Sequence, residues 1–263
     1  MTKITIALFV CFTCCLAATS LKAQKPKPKA KPVVIKKEAL QQTIKQVPKE
    51  TPKEVIKETP KEVFDYGYGP MDNTTLTVGP QVWIAKNLAV TTFANGDKIE
   101  QVQSNEEWVK AGQEKRPAWC YYENDPANGK TYGVLYNWYA IMDPRGIAPK
   151  GWHIPSKYEW VPLLDFLGGR DVAGNKMKST TLWQPIGGPD RNGTNETGFA
   201  VLPAGLRFPE NGTFDALGQA CHYWTSTNND GERAAAITLG ISPDVYVGIA
   251  GYSFGYSVRC VKD

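Results

Sequence analysis

Histidine is nearly missing from this chain: His153 and His222 are the only two among 263 residues. The arrangements that usually announce chemistry are missing too. There is no G-x-S-x-G, no Walker A, no dinucleotide-binding glycine fingerprint and no H-E-x-x-H. No apolar run reaches the length of about 18 residues that a membrane-spanning helix needs. Cysteine is sparse beyond the first stretch. Of six in all, Cys11, Cys14 and Cys15 lie close to the start, which leaves Cys120, Cys221 and Cys260 far apart and without a C-x-x-C pair. Widely spaced single cysteines do not supply local ligand pairs, so a zinc site built on cysteine is disfavoured.

What is there divides into three parts. Residues 1–23 carry Lys3, an apolar stretch from Ile4 to Ala18, and small residues before Gln24. That pattern is expected to be a secretory signal peptide cut after Ala23. Phe12-Thr13 before Cys14 is a poor lipidation context, so secretion is preferred over a lipid anchor. The destination is the periplasm, the outer surface or the medium, where an odd count of three remaining cysteines suggests one disulfide and one free thiol.

Residues 24–63 are a Pro/Lys tract in which Lys-Glu-Thr-Pro-Lys-Glu-Val occurs at 49–55 and again at 57–63. Without aromatic residues and with few apolar ones, it cannot offset the entropy of ordering. Regular proline favours an extended, polyproline-like stalk with a reach of ~120 Å. The formal charge of +4 divides into +2 for residues 1–23, +6 for 24–63 and −4 for the remainder. The basic tract is thus a candidate contact to the cell envelope. The mildly acidic remainder lacks the footprint of a nucleic-acid binder.

From Phe64 to Asp263 the composition is that of a folded domain, with all 8 Trp and all 12 Tyr. The stretch "KGWHIPSKYEW" (150–160) places His153, Ser156 and Glu159 close together, which poses the question of catalysis. Ser156 and Glu159 have the S-x-x-E spacing of a capping box, followed by Trp160, Leu163, Leu164 and Leu167 on one helical face. Both polar residues are therefore committed to the helix start. His153 is read as structural, and a kink or shortening is expected at Pro162. Ser104 and Glu107 form a second capping-box spacing. Leu135, Trp138, Tyr139 and Met142 have helical spacing across 132–142. Short apolar runs broken by Gly, Asn and Pro fill the rest, as strands and long loops.

Six motifs in order, "VWIAKNL" (82–88), "YGVLYNWYAI" (132–141), "APKGWHIPSKYEW" (148–160), "TGFAVLPAGLR" (197–207), "YWTST" (223–227) and "GYSVRCVKD" (255–263), resemble the Fibrobacter succinogenes major paralogous domain. The resemblance covers about residues 72–263. It implies an α+β fold of the C-type lectin-like superfamily, with two or three helices, small antiparallel sheets, long loops and termini close together. It also implies a disulfide between Cys120 and Cys260, worth about 4–5 kcal/mol in the chain-entropy model, while leaving the pairing of Cys221 open.

The motif residues Trp83, Trp138, Trp152, His153, Ser156, Glu159, Trp160, Trp224 and Arg259 are read as the structural framework. The tryptophans go to the core rather than to a sugar platform. Ligand candidates lie in "STNNDGE": Asn228, Asn229, Asp230 and Glu232. In calcium-dependent lectins a comparable stretch supplies oxygens to the ion. Here the accompanying Glu-Pro-Asn signature is missing, so no cofactor is assigned and calcium is the single ion considered. The metal-binding cysteine pair of formylglycine-generating enzymes is also missing. The function that follows is a secreted or surface-associated, non-catalytic binding module with a glycan or protein ligand. The rivals are a structural envelope protein and an enzyme of the formylglycine-generating type.

Overall fold

The chain divides into two units, residues 1–51 and 52–263. A computed structural model describes residues 75–185 and 191–263 in full, with the backbone of residues 62–65 and 70–73. All of these fall in the second unit. The expected signal peptide and nearly all of the expected stalk lie outside the described residues.

In chain order the elements begin with a hairpin, β1 (Glu62–Asp65) and β2 (Pro70–Asn73), then a second, β3 (Thr75–Val78) and β4 (Gln81–Ile84). Strand β5 (Glu100–Gln101), helix α1 (Asn105–Gln113) and strand β6 (Ala118–Cys120) follow. After them come helix α2 (Pro126–Tyr132), strand β7 (Leu135–Tyr136), the single turn α3 (Trp138–Ile141) and strand β8 (Trp152–His153). Helices α4 (Lys157–Phe166) and α5 (Arg170–Met177) lead into β9 (Ala204–Arg207), β10 (Phe214–Leu217), β11 (Cys221–Asn228), β12 (Arg233–Leu239) and β13 (Val245–Gly251). Strand β14 (Val261–Lys262) ends the order.

This is an α+β domain of small, mostly antiparallel sheets. The largest has the order β10-β9-β11-β12-β13, and a three-stranded sheet runs β5-β6-β7. In the sheet β3-β4-β14-β8, the last strand lies between an early strand and a middle one. Val261 is opposite Trp83 on one side and His153 on the other.

Five helices are present among the described residues, more than the two or three expected. Helix α1 begins where Ser104 accepts from the Glu107 amide at 3.1 Å. The expected helix across 132–142 is largely replaced: Leu135 is in β7, and only residues 138–141 are helical. Asn137 decides this. Its Oδ1 accepts from the amides of Ala118 at 3.0 Å and Ala140 at 3.1 Å, and its Nδ2 donates to the Arg116 carbonyl at 2.7 Å. One side chain thus ends the strand and caps the turn, and Met142 is left exposed. Helix α4 runs on through Pro162. Pro162 is exposed, so the carbonyl it leaves without a helical donor can be hydrated.

All eight tryptophans are buried. The largest core cluster holds Trp119, Trp138, Trp152 and Trp224. A second packs Trp83, Trp160, Trp183 and Phe199 beneath the inner faces of α4 and α5. Trp160, Leu163, Leu164 and Leu167 are buried as the stripe predicts, at about 2 kcal/mol for each such side chain. A third cluster gathers Trp108, Cys120, Tyr122 and Leu135.

The Cys120–Cys260 disulfide is not formed. Cys120, Cys221 and Cys260 are buried free thiols, each in a different cluster. Burial pushes the Cys120 thiol up to about 11 and the Cys260 thiol to about 12. The C-terminal segment is held instead by backbone bonds, such as Ile84 N–H to the Cys260 carbonyl at 3.0 Å and Leu88 N–H to Val258 at 2.9 Å.

Candidate functional site

The His153 cluster is a latch around a helix start. Glu159 Oε2 accepts from the Ser156 amide at 2.8 Å and from the Ser156 hydroxyl at 2.9 Å. Glu159 Oε1 lies 2.6 Å from His153 Nε2, and Asp263 Oδ1 lies 2.8 Å from His153 Nδ1. Burial pulls the imidazole pKa down, but the hydrogen bonds to Glu159 and Asp263 outweigh it and the net shift is upward. Burial likewise raises the Glu159 carboxyl, and its bonds from Ser156 and His153 bring it below the ordinary value. A histidine bonded through both ring nitrogens to two acids has no free nitrogen with which to act as a general base, and the Ser156 hydroxyl is turned to Glu159. His222 is elsewhere, with Nδ1 2.9 Å from Thr238 Oγ1 and its ring stacked on Tyr256 at 4.8 Å. Burial lowers its pKa to about 4.

The framework residues are also accounted for. Trp224 Nε1 donates to the Tyr136 carbonyl at 2.8 Å and Trp138 Nε1 to the Thr225 carbonyl at 3.0 Å. Trp83 and Trp160 pack with ring centroids 4.9 Å apart. Trp152 is buried in the largest cluster. Arg259 is buried and donates to the Phe199 carbonyl at 2.8 Å and Asn87 Oδ1 at 3.0 Å, with its guanidinium 4.5 Å from the Phe199 ring centre.

The candidate residues Asn228, Asn229, Asp230 and Glu232 form the turn between β11 and β12, and three of them are committed to it. Asn228 Oδ1 accepts from the Gly231 amide and the Tyr252 hydroxyl, both at 2.8 Å. Asp230 accepts from the Glu232 and Arg233 amides at 3.1 and 2.8 Å, and from Asn229 Nδ2 at 3.2 Å. It also pairs with the Arg233 guanidinium at 2.6 Å. The Arg233 and backbone bonds bring its carboxyl down to about 2. Oxygens already spent on a turn and on an arginine make a poor calcium shell. Among the described residues, no three His, Cys, Asp or Glu are grouped to hold a metal ion.

Glu232 is the exception. It faces a cleft of about 350 Å³ lined also by Lys115, Tyr139, Pro209, Gly231, Gly251, Tyr252 and Ser253. Five separate segments converge here: the residue after α1 with a left-handed backbone, the turn α3, the β9–β10 connection, the β11–β12 turn and the end of β13. Tyr252 stacks on Trp138 with centroids 4.1 Å apart and 15° between planes, and Tyr139 meets it edge-on at 5.7 Å. The cleft therefore has a rigid aromatic wall backed by a core tryptophan. Of the residues that line the cleft, Glu232 alone is among the ligand candidates that the sequence offers. Tyr139 has the spacing of a helical core face, and no local signal joins residues 115, 139 and 252.

The family model for the Fibrobacter succinogenes major domain matches residues 76–262. The chain belongs to this family. The match spans every described sheet except the β1–β2 hairpin, and the cleft lies within it. No curated protein and no solved structure matches the chain. No helix among the described residues is long and apolar enough to cross a membrane.

Proposed function

We propose that this member of the family is a secreted or surface-associated, non-catalytic binding module whose ligand site is the cleft at the β11–β12 turn. The supporting observation is the cleft itself, where loops from five segments meet over a tyrosine wall braced by Trp138. Small-ligand sites have this character, with a rigid apolar surface and a few polar groups on loops. A glycan suits it, since a sugar ring offers an apolar face to tyrosine and hydroxyls to Glu232, Lys115 and Ser253. The scaffold is assigned to the C-type lectin-like superfamily on the motif resemblance, and the placement of β14 between β4 and β8, which brings the domain's ends together, is in keeping with it. The Pro/Lys tract serves as the spacer to the envelope. Against catalysis stand the occupied state of His153 and the burial of His222.

A protein ligand is the second reading, favoured by the exposed Tyr158, Val161 and Phe166 on the outer side of α4. The test is a glycan array probed with the full chain and with Tyr139→Ala, in calcium and in chelator. Binding that is lost in the variant and unchanged by chelator supports the cleft. Binding abolished by chelator would return the site to the Asn228–Asp230 oxygens. Silence from the folded protein would remove the glycan reading.

A further inference from the structure

The charges bordering the cleft differ from their neighbours. Asp230 is matched by Arg233 at 2.6 Å and Glu114 by Arg116 at 2.7 Å. Lys115 and Glu232, one residue along from these pairs, are exposed and line the same cleft. Among the described residues, they form an ion pair neither with each other nor with any other group. The two arrive from different segments. Lys115 follows α1 with φ 57°, which turns the chain sharply there, and Glu232 precedes β12. The aromatic wall completes the arrangement. Glu232 and Tyr252 line the cleft together, so the acid stands beside the aromatic wall.

A neutral ring offers these two groups hydroxyl hydrogen bonds but matches neither with an opposite charge. A purely acidic ligand meets repulsion from Glu232, and a purely basic one from Lys115. We infer that the cleft takes a zwitterionic sugar, a single ring carrying an ammonium group that meets Glu232 and a carboxylate that meets Lys115, with its apolar face against Tyr139 and Tyr252. This rests on the cleft being the ligand site. A volume of about 350 Å³ is at the small end for ligand sites and suits one or two rings. An ammonium also gains from an aromatic face.

Calorimetric titration of the full chain tests this with four sugars: muramic acid (amine and carboxylate), N-acetylmuramic acid (carboxylate alone), glucosamine (amine alone) and glucose (neither). Muramic acid is expected to bind at least about tenfold more tightly than any of the others, as charge-assisted hydrogen bonds allow. Glu232→Gln should erase the preference for the amine and Lys115→Met the preference for the carboxylate. Both positions are exposed, so melting temperatures should hold. Rising salt should weaken muramic acid binding and leave glucose unaffected. Equal affinity for glucose, with neither variant altering it, would overturn the inference while keeping the cleft as a sugar site. Glycylglycine binding as tightly as muramic acid, with the same sensitivity to both variants, would overturn the sugar assignment. No binding of any sugar by folded protein would overturn both the inference and the reading beneath it.

Discussion

Arg259 and Asn87, 172 residues apart in sequence, meet through a 3.0 Å hydrogen bond from the guanidinium to the side-chain carbonyl. Arg259 is 1% exposed, and none of the partners of its guanidinium is an acid: they are Asn87 Oδ1, the Phe199 carbonyl and, at 3.2 Å, the Tyr223 hydroxyl. Tyr223 in turn donates to Asn87 Oδ1 at 2.9 Å. The cation is held by neutral dipoles and by the faces of Phe199 and Tyr223. It joins the segment before β14 to the one after β4 and to the approach of β9.

Arg259→Ala should therefore destabilise the domain by about 3 kcal/mol, since it orphans a buried carbonyl and opens a cavity. Arg259→Lys should recover little, because one ammonium cannot repeat the fork between Phe199 and Asn87. Urea midpoints of the three proteins measure this. A loss below about 1 kcal/mol would mean that the network is idle.

His153 predicts a pH dependence of stability. Its folded pKa is raised above its ordinary value of 6.5, so the stability it contributes is full below that value and is lost as pH rises through the folded pKa. Glu159, whose carboxyl is lowered, contributes above its ordinary value of 4.5 and loses that as pH falls through its folded pKa. The latch is thus tightest on the acid side of neutrality. The melting temperature should be higher at pH 6 than at pH 8, and His153→Gln should flatten that difference. An unchanged slope in the variant would remove the latch from the account.

The three core cysteines should be silent toward alkylating reagents in the native protein and react on unfolding. Burial holds Cys120 and Cys260 protonated, with values of about 11 and 12, and burial also raises Cys221. Peptide mass spectrometry after alkylation, before and after denaturant, reads each site separately. Recovery of a Cys120–Cys260 cross-linked peptide from the native chain would contradict the separate packing of these thiols.

What the sequence makes legible is local. The helix start at Ser156 and its stripe through Leu167 depend on residues within a few turns, and they form as their spacing predicts. The helix expected over 132–142 fails because Asn137 finds Ala118 and Arg116, some twenty residues back, and no spacing rule contains that encounter. The disulfide expectation fails for a related reason, since a family pattern of cysteines does not say which of three clusters each will enter. The turn at 228–232 is legible as a polar loop. Its internal hydrogen bonds are not, because composition does not say which acids and amides turn inward. Of the four candidates there, Glu232 is the one whose side chain the turn does not use, and it lines the cleft. The cleft is the least legible feature, because it exists only where residues 115, 139, 232 and 252 are brought together.

Strand β14 is the latest of its sheet in chain order and is inserted between two earlier strands. Until residues 259–262 arrive, β4 and β8 have no common neighbour, Trp83 lacks its cross-strand partner Val261, and Asn87 lacks its arginine. The sheet is completed only when its latest segment takes a central position. A domain cut before residue 259 would keep every tryptophan of the sequence and lack the strand that joins β4 to β8.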